Sequence, residues 1–356
     1  MSPKLKKILS FLFILLSISA VLVIAFNNPE MGNAWETISG MDLPWIAGLL
    51  LCWIVFGLFE SMGIYTCLRE RGFRISLFRV YWTVLIGMYY SSITPGAAGG
   101  QPMQVNSLRK AGIPVEYGTL ALTVRFVMNQ FAVCIGGLAL FLANREFVYT
   151  QLGGAIWAVR IGWLINFAAV PLVLLAAFRR KWIQKLAEAL IRFGARIRLV
   201  RDPEKAAERA TEMLDTYHEA LAEITHHPKE ILLQVLFSGV SILGLTGSVV
   251  FAYYAFGQRG TPWFQVLTLS CLLFVSTSYT PLPGASGAQE GGFLLYFRGI
   301  FKDGTIGFGL LIWRFFTYYL WLISGVFAVI GVKILLRKES RKRTVPYNEQ
   351  QLEAEL

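Results

Sequence analysis

Two arginines, Arg125 and Arg314, lie eight and nine residues inside long apolar stretches. At about 1.5 Å of helix rise per residue, they would sit about 12 and 14 Å below a membrane surface. A charge that deep costs about 2.5–3.5 kcal/mol, so each arginine should face a cavity or a partner. Because guanidinium forms bidentate hydrogen bonds with phosphate, both are predicted to bind a phosphate group. The alternative is that each pairs with a carboxylate or with backbone carbonyls and only fixes helix register.

Two carboxylates also fall among apolar or glycine-rich residues. Glu60 could be a counter-ion to an arginine, a carboxylate that couples transport to protons, or a contact for a cationic headgroup. Glu290 closes a glycine-rich run, at a position where a related run has Pro102. Neutral polar residues nearby could contact a substrate or hydrogen-bond between helices; these are Gln101, Gln104, Asn129, Ser286 and Gln289.

A motif occurs twice, as PGAAGGQP and, 188 residues later, as PGASGAQE. Its turn-forming residues are Pro95, Gly96, Gly99 and Gly100 in the first copy and Pro283, Gly284 and Gly287 in the second. Proline and glycine at these positions would halt a membrane helix. In each copy an arginine-bearing apolar stretch follows, so the sequence predicts a repeat whose halves each contain a broken hairpin. Paired interruptions of this kind are typical of secondary transporters with a site near the bilayer midplane.

The elements that must position these residues are membrane helices. Hydrophobic residues make up 55% of the 356-residue chain and charged residues 15%, against about 25% charged in soluble domains. Six stretches are long enough to span a bilayer; they are Ile8–Phe26, Pro44–Leu68, Tyr117–Leu142, Ala155–Phe178, Ile231–Phe256 and Thr305–Ile330. The segments that run into the two motifs, 77–94 and 263–280, are predicted to dip into the membrane and return. The fold class is therefore an all-α polytopic membrane protein.

The net charge of +11 would suggest a nucleic-acid partner in a soluble protein. Here 26 of the 33 lysines and arginines fall on one side of the predicted topology. The positive-inside rule makes that side cytoplasmic, together with both termini, and favours re-entrant hairpins of opposite orientation. The charge thus indicates topology, and the expected location is the inner or plasma membrane.

Five regions follow from this topology. Residues 1–43 form an anchor helix and an external loop, 44–142 the first repeat, and 143–230 a linking span with a basic amphipathic cytoplasmic segment. Residues 231–330 form the second repeat and 331–356 a basic tail. The predicted relation between the repeats is inverted.

Enzyme chemistry finds little support in the motifs. All three histidines, at 218, 226 and 227, lie in the predicted cytoplasmic segment, and no phosphate-binding loop or nucleophile elbow is present. The four cysteines have no metal-ligand spacing. The sequence predicts no cofactor, no metal and no catalytic residue.

The paired PGA-x-G motifs, the arginine-bearing helices that follow and the hydropathy together resemble the transmembrane region of the lysylphosphatidylglycerol synthetase family. The resemblance implies a lipid flippase module with re-entrant helices and membrane lipids as partners. Bifunctional family members carry a soluble aminoacyl-transferase domain after this region, so this chain is expected to be a stand-alone member. A homo-oligomer or a separately encoded lipid-modifying enzyme is a further possible partner. The alternative functions are an integral membrane transferase acting on a lipid headgroup, a non-catalytic subunit of a lipid-modifying complex, and a small-solute carrier.

Overall fold

The computed structural model describes residues 40–179, 227–302 and 304–343, with scattered positions between 184 and 222. Regular structure in these ranges is helical, which confirms the all-α class. The helices are α1 (Leu43–Glu70), α2 (Leu77–Ile93), α3 (Gly100–Lys110), α4 (Val115–Ala143), α5 (Arg145–Leu152), α6 (Ile156–Phe178), α7 (Pro228–Ala255), α8 (Trp263–Thr277), α9 (Ala288–Tyr296), α10 (Ile306–Arg314) and α11 (Leu320–Arg343).

Five helical segments in this part of the chain are long and apolar enough to cross a membrane. They are Leu43–Glu70, Val115–Ala143, Arg145–Ala169, Pro228–Ala255 and Ile306–Gly331. Four of them match predicted spans closely, and Arg145–Ala169 overlaps the predicted span Ala155–Phe178 but begins ten residues earlier. The protein is therefore a multi-pass membrane protein. The predicted anchor at 8–26 and most of the basic segment lie outside the described residues.

The two repeated motifs break their helices in the same way. Pro95–Ala97 and Pro283–Ala285 each form one turn of 3₁₀ helix after α2 and α8. In both turns the glycine and the alanine adopt positive φ, 58° and 57° in the first turn and 60° and 51° in the second. This left-handed backbone is costly for alanine, so its presence in both copies indicates that the turns are structural equivalents. The two turns lie against each other.

Helices α1 and α7 form the main helix pair and run antiparallel. The amide of Asp42 donates to Ala255 O at 3.1 Å at one end, and Arg71 pairs with Glu230 at 2.9 Å at the other. Gly244 allows the close approach, because a Cβ there would lie 3.1 Å from Cys52 O. Small residues at a crossing of membrane helices permit such contacts. The first helices of the two predicted repeats therefore face each other in opposite directions.

The first helix of each broken hairpin packs against the other half of the chain. On α2, Trp82 Nε1 donates to Ala328 O of α11 at 2.8 Å. On α8, Thr268 Oγ1 accepts from Asn144 Nδ2, just after α4, at 3.0 Å. The second hairpin helices pack on the helices that follow them, α3 on α4, and α9 on α10, where Phe293 stacks on Trp313 with ring centroids 5.0 Å apart. Helix α9 also contacts α5, where Gln151 donates to Tyr296 O at 3.1 Å.

Candidate functional site

The candidate site consists of two buried arginine–carboxylate pairs, one in each half. Arg314 ends α10 and is 2% exposed. Its Nε donates to Glu290 Oε1 at 2.6 Å, its Nη1 to Gln289 Oε1 at 2.6 Å and its Nη2 to Gly284 O at 3.2 Å. All three guanidinium nitrogens thus bond to the second broken hairpin, and Arg314 holds that hairpin to α10.

Glu290 and Tyr318 connect Arg314 to further parts of the two hairpins. Glu290, 3% exposed, accepts the amide of Gly287 on Oε2 at 2.6 Å and so caps α9. The Tyr318 ring lies 4.8 Å from the guanidinium carbon, and its hydroxyl donates to Ser92 O, at the end of α2, at 3.1 Å. Residues 315–319, directly after Arg314, form a π-helical turn, a feature often found at functional sites.

Arg125, 3% exposed, lies in the middle of α4 and reaches across to α1 and α7. Its Nη2 donates to Glu60 Oε1 of α1 at 2.7 Å, and its Nη1 donates to Ser238 Oγ of α7 at 2.7 Å. The same Glu60 oxygen also accepts from Asn129 Nδ2 at 2.7 Å and Ser241 Oγ at 2.8 Å. Glu60 keeps 13% of its side chain exposed. In the described part of the chain, the pair joins three helices and has no hydrogen bond to the first hairpin.

Three buried polar atoms around this pair have no hydrogen-bond partner among the described residues: Arg125 Nε, Asn129 Oδ1 and Gln234 Oε1. Gln234 of α7 donates its amide to Gly63 O at 2.8 Å. Gly63 leaves room for both neighbours, because a Cβ there would lie 2.9 Å from Gln234 Oε1 and 3.1 Å from Arg125 Nη1. The Arg125 pair therefore still has an N–H group, Arg125 Nε, that could bind another group, whereas all three guanidinium nitrogens of Arg314 bond to the hairpin.

The remaining predicted residues divide between the turns. In the first, Pro95 and Gly96 are exposed, Gly99 is partly buried and Gly100 is buried. In the second, Pro283 is buried and Gly284 partly buried, while Gly287 is exposed. Gln101, at the start of α3, is exposed, whereas its repeat counterpart Gln289 bonds to Arg314. The structure thus brings Glu60, Arg125 and Asn129 into one cluster and Gln289, Glu290 and Arg314 into another.

The sequence interpretation missed the polar residues of α7 that complete the first cluster. Glu230, Gln234, Ser238 and Ser241 are all buried, at 7% exposure or less. They recur at intervals of four, four and three residues in an apolar helix, which places them on one face. That spacing is the signal that could have found them.

The candidate site contains neither a metal-ligand cluster nor a disulfide within the described residues. No group of three or more His, Cys, Asp or Glu side chains that could hold a metal occurs within the described residues. The cysteines at 52, 67, 134 and 271 are buried, and none of these four described residues forms a disulfide. The arrangement offers cations and hydrogen-bond donors at depth, which suits the recognition of an anionic group.

Comparison with known proteins agrees with these features. The chain is 25% identical over 324 residues to a UPF0104 membrane protein of Archaeoglobus fulgidus, covering 89% of this chain and 94% of that protein. The family model described as the lysylphosphatidylglycerol synthase TM region matches residues 8–325, nearly the whole chain. The protein therefore belongs to the lysylphosphatidylglycerol synthase TM region family.

Proposed function

We propose that this protein is a transporter that moves a phosphate-bearing lipid between the two leaflets of the membrane. The observation that carries the proposal is the meeting of two equivalent glycine-containing turns in a helix bundle that buries one arginine–carboxylate pair in each half. Irregular backbone at membrane depth is tolerated where protein buries it or where it lines a polar cavity. The family description, which names a phospholipid synthase, supports a lipid as the substrate.

In this proposal the two halves form an inverted repeat with re-entrant hairpins, and both termini are cytoplasmic. The antiparallel packing of α1 and α7 supports the inversion, because these helices begin the two repeats. The crosswise packing of α2 and α8 supports it further. Movement of one half against the other would then expose the region between the turns to one side and then to the other.

The two arginines have different proposed roles. Arg314 keeps the second hairpin in place through three hydrogen bonds. Arg125 contacts the lipid phosphate, because its Nε is unpaired and its carboxylate partner is partly exposed. Bidentate binding of phosphate is the geometry that guanidinium favours. The acyl tails would remain in the bilayer.

Reconstitution tests the function directly. The purified full-length protein is placed in liposomes with fluorescent phosphatidylglycerol, lysylphosphatidylglycerol or a polyprenyl phosphate, and the accessible leaflet is quenched over time. We expect faster headgroup crossing for at least one lipid and a loss of that acceleration in Arg125→Met. Arg259→Met is the matched control, because its ion pair with Asp42 is half exposed. No acceleration for any of these lipids would contradict the proposal.

Mass spectrometry separates transport from headgroup chemistry. Lipids recovered from the same liposomes should be chemically unchanged after transport. A modified headgroup would favour the transferase instead.

Labelling tests the topology. Single cysteines at Ala98 and Ser286, one in each turn, should react with an impermeant thiol reagent from opposite sides of the membrane. Reaction of both from one side only would contradict the inverted arrangement.

A further inference from the structure

One face of α7 carries a buried polar stripe that leads to the Arg125–Glu60 pair. The stripe consists of Glu230, Gln234, Ser238 and Ser241, and its length along the helix axis is about 16 Å. Gln234 Nε2 lies 3.3 Å from Thr66 Oγ1 of α1, Ser238 accepts from Arg125, and Ser241 donates to Glu60. The stripe therefore places a hydrogen-bonding side chain at each turn of α7 from Glu230, which pairs with Arg71, to Ser241, which bonds to the Glu60 carboxylate.

The outer end of the stripe opens into a cavity of about 470 Å³ between the end of α1 and the start of α7. Its lining residues are Thr66, Glu70, His227, Pro228, Lys229, Glu230 and Leu233. Glu70, His227 and Lys229 are exposed, so water reaches this end. Glu230, which is buried, belongs both to the cavity wall and to the stripe.

Farther in, the unpaired atoms mark where a proton route to Glu60 would continue. Gln234 Oε1, Arg125 Nε and Asn129 Oδ1 are buried without a partner among the residues that the structure describes. Buried polar atoms are normally hydrogen-bonded to protein or to ordered water, because leaving them unpaired is costly. Two acceptors and a donor around one ion pair are suitable partners for water molecules between the cavity and Glu60.

Glu60 has the surroundings of a carboxylate that can change its protonation with its partner. Facing it are Arg125 from α4 and the uncharged Ser238 and Ser241 from α7. From α2, Tyr81 packs on Gly57, about one turn away on α1. In the described structure, Arg125 is thus the charged group in direct contact with Glu60. If Arg125 bound another anion instead, the buried Glu60 carboxylate would have no counter-ion. Such a group takes up a proton.

We propose that Glu60 takes up a proton through the stripe when a lipid phosphate replaces it on Arg125, so that a proton gradient drives lipid movement. This rests on the proposed function. Before exchange the site holds the guanidinium cation and the carboxylate anion; afterwards it holds the guanidinium, the phosphate anion and a neutral carboxylic acid. The proton comes from the bulk solution on the cavity side, forms the O–H bond of Glu60, and is released to the solution on the other side of the membrane when the phosphate departs there. The net charge of the site is the same in both states.

Cysteine access tests the route without reference to any lipid. In full-length protein with the four native cysteines replaced by alanine, Gln234→Cys is compared with Leu236→Cys in vesicles of phosphatidylglycerol and phosphatidylethanolamine. Leu236 lies about 3 Å farther along the axis of α7 and is 56% exposed. A small charged methanethiosulfonate should modify the 234 variant roughly tenfold faster or more, because only a hydrated thiol ionises and reacts. Equal or slower reaction at 234 would overturn the route.

A pH gradient tests the coupling. In proteoliposomes containing the fluorescent lipid that moves fastest, acidification of the cavity side should accelerate net movement several-fold relative to equal pH. In Glu60→Gln the rate of lipid movement with the gradient should equal the rate without it, or movement should cease. Thr246→Val is the control, because it removes a buried hydroxyl from α7 outside the stripe, and it should respond to the gradient like the wild type.

The outcomes separate the two proposals. If the wild-type protein moves lipid at the same rate with and without the gradient, proton coupling is overturned and lipid transport is not. If Glu60→Gln still responds to the gradient, the assignment of the coupling to Glu60 is overturned. If no lipid moves at all, the proposed function fails and the coupling fails with it, whereas the labelling result still decides the route.

Discussion

Arg125 and Arg314 follow equivalent turns in the two halves, yet their carboxylate partners come from different elements. Arg314 bonds to Glu290 in the hairpin of its own half, whereas Arg125 bonds to Glu60 in the preceding span. At the 188-residue offset of the repeat, the counterpart of Glu60 is Ser248, which accepts a hydrogen bond from Trp313 at 3.1 Å. The counterpart of Glu290 is Pro102. The carboxylate has a different position in each half, so only one hairpin is tied to its arginine.

This difference shows that arginines at equivalent positions of the two halves can have different structural roles. The second turn is held by Arg314, and a Cβ on Gly284 would lie 2.1 Å from the Tyr318 ring. Among the described residues no arginine bonds to the first turn, and nothing lies within 4 Å of a Cβ on Gly96. The second turn is therefore held by an arginine and closely packed at its glycine, and the first is neither.

The largest expected effect tests this asymmetry at the arginines. Arg314→Met should lower the free energy of unfolding by about 3–5 kcal/mol, because Glu290 would be left buried and unpaired. Arg125→Met should cost less, since Glu60 keeps two neutral donors and some exposure. Thermal unfolding in detergent measures both. A greater loss for Arg125→Met than for Arg314→Met would reverse the comparison.

The glycines of the two turns give the next largest contrast. Gly96→Ala should cost about 1–2 kcal/mol, the penalty for a side chain in left-handed backbone. Gly284→Ala should cost about 1–3 kcal/mol more, because its Cβ overlaps the Tyr318 ring. The same unfolding assay compares the pair directly, and equal losses would mean that the second turn is no more tightly packed than the first.

The Ser238 hydroxyl tests how strongly α7 holds Arg125. Ser238→Ala should cost about 1.5–3 kcal/mol, since it removes the partner of a buried guanidinium. Ser92→Ala is the matched control, because that hydroxyl bonds only to Met88 O one turn back on its own helix. Similar melting temperatures for the two variants would show that Ser238 contributes little to holding Arg125.

The smallest effect is expected at the exposed pair of Arg259 and Asp42. Their closest atoms are 3.5 Å apart, and both side chains are about half exposed. Arg259→Gln should therefore change stability by no more than about 1 kcal/mol. A loss as large as that of Arg314→Met would mean that burial does not distinguish the arginines.

Much of this architecture could be predicted from the sequence. The spans follow from hydropathy, the breaks from Pro95 and Pro283, and the burial of Arg125 and Arg314 from their depth in apolar stretches. The partners could not be predicted in the same way, because Arg125 and Ser238 are 113 residues apart in the chain. Local patterns do not encode such pairings. The same holds for Arg71, whose side chain is 3% exposed and pairs with Glu230, 159 residues away in the chain, across α1 and α7.

The crosswise packing of α2 on α11 bears on how the protein is made in the cell. Trp82 of α2 finds its acceptor, Ala328, only after most of the chain has been synthesised. Helix α11 is completed about 250 residues after α2, a delay of about 12–50 s at roughly 5–20 residues per second of translation. During that interval the insertion machinery must hold the first hairpin without its final neighbour. The first hairpin therefore completes its packing late, and a nascent chain that stalls before α11 leaves Trp82 without this acceptor.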